Sequence, residues 1–272
     1  MTDPERTILI TGATSGLGRG LAASLSTAPN RLILHGRDRT ALKTLRTELG
    51  GSAAQIDTVS ADLADLSQVR AMAEEVAAMT DHLTVLVNNA GIGKGSHDRR
   101  ELSSDGFELR LAVNHLAPFA LTQRLLPLLR AGAPSRIVHV ASGAQEPIDP
   151  DDLHLERGYT GSRAYAQSKT AMITYGFALA KKLSPQVTTV NSLHPATLMP
   201  TRMVEEGYGY TVDDLATGVA ATQHLIEAAD VEGVSGAFFN GIQQSQAIPQ
   251  AHEPEFQDWL WRVSQDLTDT RT

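Results

Sequence analysis

The 272-residue chain contains no cysteine. That excludes disulfides, thiolate metal sites and a cysteine nucleophile. There is no excess of basic charge: 23 Lys and Arg stand against 31 Asp and Glu, a formal net charge of −8. A nucleic-acid partner is not expected, since a phosphate backbone is met by clustered cations. No run approaches the ~18 consecutive apolar residues that suggest a membrane span. The start "MTDPERTILITG" lacks the basic head and long apolar segment of a secretory leader. A soluble cytoplasmic protein is the expectation. Aromatic residues are scarce at 5%, yet hydrophobic residues together reach 42%, enough for the core of one α/β domain of this length. Repeats, low-complexity tracts and long linkers are also lacking, so a single domain over 1–272 is expected. The histidines are scattered without metal-ligand spacing. No catalytic metal is expected, and Asp149, Asp151 and Asp152 read as a solvated acidic loop.

What the chain has is alternation. Short β-branched runs fall near 6–11, 31–36, 54–60, 83–89, 136–142, 186–193 and 236–240. Between them lie helical patterns near 17–26, 39–49, 67–79, 103–130, 161–183 and 212–228, with a last helix over about 253–268. Short apolar strands separated by helices pair in parallel and are covered on both faces. The fold class expected is α/β, a Rossmann-type doubly wound, seven-stranded parallel sheet with helices on both faces. In the last helix Trp259 and Trp261 stand two apart and cannot fully share one face. One of them is expected to pack against a neighbour or a partner chain.

Two stretches carry chemistry. "TGATSGLGRG" follows the first strand and places Gly12, Gly16 and Gly18 at the start of the first helix. Glycines let the backbone turn tightly and approach a pyrophosphate, while the helix N-terminus offers N–H donors and the positive dipole end. The spacing is neither the common G-x-G-x-x-G nor a P-loop. "RAYAQSKTAM" sets Tyr165 and Lys169 four apart in a chain with only five lysines. Residues i and i+4 share a helix face. A nearby ammonium favours phenolate, which makes the tyrosine usable as an acid or base near neutral pH.

T-G-x-x-x-G-x-G, then "NNAG" at 88–91, then Y-x-x-x-K at 165–169, resembles the short-chain dehydrogenase/reductase family over about residues 6–240. The resemblance implies a nicotinamide dinucleotide held by Gly12, Thr14, Ser15, Gly16, Leu17 and Gly18. Asp62 would meet the adenine amino group, with Leu63 beside it, and Asn89, Ala90 and Gly91 would lie along the ribose. Asn88 would tie neighbouring strands. Tyr165 would be the acid/base, and Lys169 would also bond the nicotinamide ribose. Ser142, at the end of the fifth strand, would stabilise the charge developing on the substrate oxygen. Asn114 is a poor mid-helix residue among apolar neighbours. By resemblance it holds a water that relays protons from Lys169. His115 beside it reads as structural. After the sixth strand the family commonly has Pro-Gly, and here Pro195 precedes Ala196. That segment would meet the nicotinamide carboxamide, with Thr197 or Thr201 as hydroxyl donor. Ser142 precedes Tyr165 by 23 positions, a longer gap than in many members. The extra residues, about 144–160, read as an acidic, proline-containing surface loop. The arrangement resembles the retinol-dehydrogenase-like and WW-domain-oxidoreductase-like members.

Cofactor choice turns on the end of the second strand, "HGRDR". An acid there favours NAD(H) by holding the ribose hydroxyls. By the family's pattern that position is Gly36, followed by Arg37 and, two further on, Arg39. A guanidinium suits a 2′-phosphate, so NADP(H) is expected ahead of NAD(H). The plainer alternative is that Arg37 opens a solvated helix. Asp38 either opposes a phosphate or caps that helix.

Taken together, these residues imply an NADP(H)-dependent oxidoreductase interconverting a ketone or aldehyde and an alcohol, on a lipophilic or aromatic substrate. The alternatives are a non-catalytic dinucleotide-binding regulator of this fold, or an epimerase or dehydratase of the family. The substrate loop is expected over about 196–214, where Met199, Met203, Tyr208 and Tyr210 offer adaptable apolar contacts. The helices near 103–130 and 161–183 carry more apolar residues than one sheet-facing stripe needs. With the family's habit of pairing these helices, that implies a homodimer or tetramer.

Overall fold

The apolar runs do form strands: Thr7–Ile10 (β1), Arg31–Gly36 (β2), Gln55–Ser60 (β3), Val85–Asn88 (β4), Ser135–Val140 (β5), Thr188–His194 (β6), Ala237–Asn240 (β7) and Gln243–Ser245 (β8). The computed structural model describes residues 6–270; the first five residues, which open the stretch read for a leader, and the last two lie outside the described residues. The strands join in one sheet of order β3-β2-β1-β4-β5-β6-β7-β8. Neighbours are parallel except β7 and β8, which are antiparallel. Seven strands were expected and eight are found. The additional one, "QQS", is exposed throughout and so carries no hydrophobic signal by which a sequence reading finds strands.

The helices are α1 (Gly16–Leu25), α2 (Arg39–Leu49), α3 (Leu66–Met79), α4 (Leu109–Leu111), a π-helical turn (Ala112–Leu116), α5 (Ala117–Ala131), α6 (Gly161–Lys182), α7 (Arg202–Gly207), α8 (Leu215–Glu227), α9 (Pro249–His252) and α10 (Pro254–Thr268). Side-chain caps fix several starts: Asp38 accepts from the Thr40 and Ala41 amides, Asp65 from Ser67 and Gln68, Thr160 from Arg163 and Asp214 from Thr217. The helix expected from residue 103 begins only at Leu109. Before it, Leu102 and Glu108 form an isolated antiparallel bridge.

Alternation along the central strands feeds two cores. Leu9 points into the layer with α3, α5 and α6, beside Leu86, Phe119, Ile137 and Tyr175. Ile8 and Ile10 point into the opposite layer with α1, α2 and α8, beside Leu21, Leu45, Val87 and Leu225. Both faces of the sheet are thereby covered.

The 144–160 segment is more than a surface loop. Ile148 and Leu155 are buried, and Ile148 packs with Ala171 of α6 and Phe256 and Leu260 of α10. Its acids serve the loop itself: Asp149 and Asp152 pair with Arg157. Helix α10 also covers the outer side of α5 and α6. Trp261 sits 5.4 Å from Phe119 and 5.8 Å from Tyr175, with the Lys182 ammonium 4.7 Å over its ring. Trp259 stacks on Phe256 instead. The apolar surplus that motivated the expected homodimer or tetramer is thus met partly within the chain. Among the described residues no helix is long and apolar enough to cross a membrane, and no cluster of His, Asp and Glu is arranged to hold a metal.

Candidate active site

The strand order reverses between β1 and β4, where crossovers leave in opposite directions. In open α/β sheets ligands bind in the crevice that this creates at the carboxyl ends of the strands. Two loops line it here. The glycine loop after β1 is stitched to "NNAG" after β4: the Asn89 amide nitrogen Nδ2 donates to the Thr11 carbonyl at 2.7 Å and the Gly12 carbonyl at 3.2 Å. The Asn89 and Ala90 backbone amides donate to Thr11 Oγ1 at 2.9 and 3.0 Å. Asn88 ties β4 outward, through Nδ2 to Thr122 Oγ1 at 3.1 Å and to His139 Nδ1 at 3.2 Å. His35, which the sequence reading left unassigned, holds the loop from below. Its Nδ1 accepts from the Gly12 amide at 3.2 Å, which leaves Nε2 to donate to the Ala61 carbonyl at 3.1 Å. Burial keeps this imidazole neutral, with its pKa lowered to about 4.

The loop is shaped for close approach. Gly12 and Gly16 have φ of +67° and +50°, values open to glycine at no steric cost. A Cβ on Gly18 would run into the Gly12 carbonyl and Asn89. Ser15, the residue before α1, makes no side-chain cap, so no side chain covers the first amides of that helix. Such a cradle of small residues at an uncapped helix start fits a dinucleotide pyrophosphate. Thr14 packs against Gly36, and Leu17 and Leu63 turn their side chains into the cores. Asp62 is half-buried at the end of β3, with a carboxylate oxygen accepting from the Ala64 amide at 3.0 Å. At the adenosine end Arg37 and Arg39 are exposed, and neither forms an ion pair among the described residues. Asp38 is the α2 cap, which answers the question of its role.

The catalytic candidates converge on α6. Ser142, at the end of β5, lies close enough to the Tyr165 hydroxyl to favour its ionised form, and its Oγ accepts from the Ala144 amide at 3.0 Å. Lys169 is 3% exposed and donates to the Val140 carbonyl at 2.9 Å. Burial lowers its pKa to about 8, so it is still mainly an ammonium at neutral pH. It lies 5.9 Å from the Tyr165 ring centroid. The sequence reading had this ammonium bringing the phenol down. The protein's own groups do otherwise: burial pushes Tyr165 up and outweighs the lowering by Ser142. Tyr165 is therefore a phenol at neutral pH, ready to give a proton.

Asn114 is fully buried in the π-helical turn. Its Oδ1 accepts from the Ile92 amide at 2.8 Å, and its Nδ2 donates to the Ile92 carbonyl at 3.0 Å and Ser168 Oγ at 2.9 Å. It joins the loop after β4 to α6 beside Lys169. A Cβ on Gly91 would stand 3.1 Å from Asn114 Oδ1 and 3.3 Å from Lys169 Nζ, so a residue without a side chain lets the loop after β4 lie tightly against both groups. His115 is structural, bonded through Nε2 to Ser264 Oγ at 2.7 Å.

Pro195 is buried after β6. The Thr197 amide donates to Asp213 at 2.6 Å and its hydroxyl meets His194 Nε2 at 3.2 Å. Thr201 is the threonine that reaches the loop, its methyl 3.1 Å from where a Gly16 Cβ would lie. His194 sits against Gly143, next to Ser142. The mouth is closed in by Met203, packed on Gly93, and by Tyr208, whose ring lies 4.5 Å under the Lys94 ammonium.

The chain is similar to known proteins over most of its length. Residues 6–208 match the family model described as short chain dehydrogenase. Retinol dehydrogenase 14 of Mus musculus is 35% identical over 289 residues, covering 96% of this chain and 85% of the relative. Among solved structures, an uncharacterised protein of Mycobacterium paratuberculosis is 29% identical, with a TM-score of 0.77 over 98% of this chain and 94% of its own. The NADP active-site complex of RhlG from Pseudomonas aeruginosa is 25% identical, with a TM-score of 0.71 over 88% of this chain and 95% of its own. Fold, glycine cradle, Tyr165–Lys169 pair and likeness to these proteins agree: the chain belongs to the short-chain dehydrogenase family of oxidoreductases, in its retinol-dehydrogenase-like branch.

Proposed function

We propose that this protein is an NADP(H)-dependent oxidoreductase that interconverts a lipophilic aldehyde or ketone and the corresponding alcohol. The observation that carries this is the convergence of Ser142, Tyr165 and Lys169, at the carboxyl end of the sheet and next to the glycine cradle. The bound cofactor would supply the hydride. The remaining work belongs to the protein. Ser142 Oγ and the Tyr165 hydroxyl form a two-donor seat for a carbonyl oxygen, so that charge developing on that oxygen meets hydrogen bonds already in place. Tyr165 then gives its proton to the oxygen. Lys169 holds a positive charge on the same helix face, which stabilises the phenolate that remains. Asn114 keeps the loop after β4 at its distance from Lys169, and we assign it the proton relay between Lys169 and solvent. Gly12, Gly16, Gly18, Asn89, Ala90 and Gly91 would bind the cofactor, with Arg37 and Arg39 supplying cations for a 2′-phosphate.

Substrate class follows from the mouth. Met203 and Tyr208 offer apolar, adaptable walls, whereas Met199 packs into the core beside Gly218, and the retinol dehydrogenases among the relatives make retinoid-like polyene aldehydes the first compounds to try. The test is cofactor consumption with a panel of retinal, aromatic ketones and medium-chain aldehydes, supplied with NADPH or NADH. The expected result is carbonyl-dependent oxidation of NADPH with kcat/KM about 10-fold or more above that with NADH, the scale of one charge-assisted hydrogen bond. Absence of carbonyl-dependent turnover with either cofactor would contradict the assignment.

A further inference from the structure

Arg110 is buried to 3% exposure on the short helix α4, outside every group assigned a role above. Its guanidinium is used on all sides. Nε donates to the Gly93 carbonyl at 3.1 Å and Nη2 to the Lys94 carbonyl at 3.0 Å. Nη1 donates to the Tyr159 hydroxyl at 2.8 Å and to Glu108 Oε1 at 3.5 Å. Glu108, 2% exposed, balances the charge and also accepts from the Tyr159 hydroxyl at 3.4 Å and from the Leu111 amide at 2.8 Å. Burying a guanidinium and a carboxylate is costly unless each is fully paired, and a lysine could not span two carbonyls and a phenol with one ammonium.

The segments that Arg110 joins both border the reacting groups. The 93–94 backbone follows Gly91, which faces Asn114 and Lys169. The Lys94 carbonyl lies against Gly161, where a Cβ would collide with it, and Asp98 Oδ1 accepts from the Gly161 amide at 2.8 Å. Gly161 starts the helix that carries Tyr165. The Lys94 side chain runs under Gly207 and sets its ammonium over the Tyr208 ring, and Tyr208 is close enough to Tyr165 to act on it electrostatically. Tyr159 closes the 144–160 segment just before α6.

We propose that Arg110 is a positioning residue for the carbonyl substrate: it locks the 93–94 backbone to the end of the 144–160 segment, and so fixes the Lys94–Tyr208 wall. This rests on reading the cleft as a carbonyl-reductase site. Among the described residues, none of the cofactor-side residues 12–18, 89 and 90 bonds to Arg110, Glu108 or Tyr159, so substrate and cofactor binding should separate. Misplacing a substrate by a fraction of an ångström is expected to change its binding about 10-fold.

The test uses Arg110→Lys, which keeps the charge and loses the fork, Tyr159→Phe, which keeps the ring and loses the hydroxyl, and the double variant. Hydrogen exchange in Arg110→Lys should quicken over residues 91–98 and stay unchanged over 12–18, a readout that needs no turnover. With the carbonyl substrate, each single variant should raise KM about 10-fold and leave NADPH affinity and kcat within about twofold, and the double should exceed the larger single by no more than about twofold. Unchanged exchange over 91–98, an unchanged KM, equal losses of NADPH affinity, or effects that multiply in the double would each overturn the proposal. Failure of the wild type to turn over any carbonyl would instead count against the assigned reaction, while the exchange result still decides the clamp.

Discussion

At the scale of single residues, the proposed preference for NADP(H) rests on the guanidinium that follows β2. Arg37 is exposed and makes no ion pair among the described residues, so its charge is available to a 2′-phosphate. Arg37→Ala should lower kcat/KM with NADPH by about 10-fold or more and leave that with NADH nearly unchanged. An equal effect on both cofactors would make Arg37 a helix-start residue only. Placing an acid at Gly36 to reverse the preference meets an obstacle that the sequence conceals: a Cβ there would stand 2.6 Å from Thr14 Cγ2. Thr14→Ser is needed beside it. Arg37 was legible because its position after β2 follows from strand counting. Arg110 was not, because its main partners are backbone carbonyls distant in sequence, and no spacing of residue types marks such a contact. His35 was hidden for the same reason.

At the scale of elements, the central strands could be read because branched aliphatic runs buried on both faces leave little ambiguity. The connection from β4 to α5 could not. One long helix was expected, and the chain instead makes a bridge, a short turn and a π-helical turn before α5. Asn114 is what this irregularity serves. A π turn inserts an extra residue and re-aims side chains, often at functional sites, and here it brings one amide within reach of Ile92 and Ser168 together. Asn114→Ala would leave buried partners unsatisfied at both places and should cost about 2–4 kcal/mol, visible in denaturant unfolding. Stability within about 0.5 kcal/mol of wild type would show that the amide is not the joint between β4 and α6. The 144–160 segment was likewise misjudged as surface, because Ile148 and Leu155 are isolated apolar residues in an acidic stretch. The partners of Ile148 on α10, Phe256 and Leu260, lie about a hundred residues on.

Across the whole molecule, three imidazoles are buried and neutral. His35 has its pKa lowered to about 4, and His115 and His139 to about 3, in each case chiefly by burial. The unfolded chain binds protons near pH 6.5 while the folded chain refuses them, so stability is full above pH 6.5 and is lost as pH falls through the window down to about 3–4. His35 alone should withdraw about 3 kcal/mol across its part of that range. Thermal melting followed from pH 7 to pH 4 should show a steadily falling Tm. A flat profile would mean that these groups are not buried as described. The central claim concerns the proton on Tyr165, and one comparison tests it most directly: steady-state turnover of wild type and Tyr165→Phe with NADPH and the best carbonyl substrate, with NADPH affinity measured alongside. The account predicts that the variant keeps its NADPH affinity and loses turnover by about 100-fold or more, the scale of general acid catalysis. Near-normal turnover in a variant that still binds NADPH would contradict it.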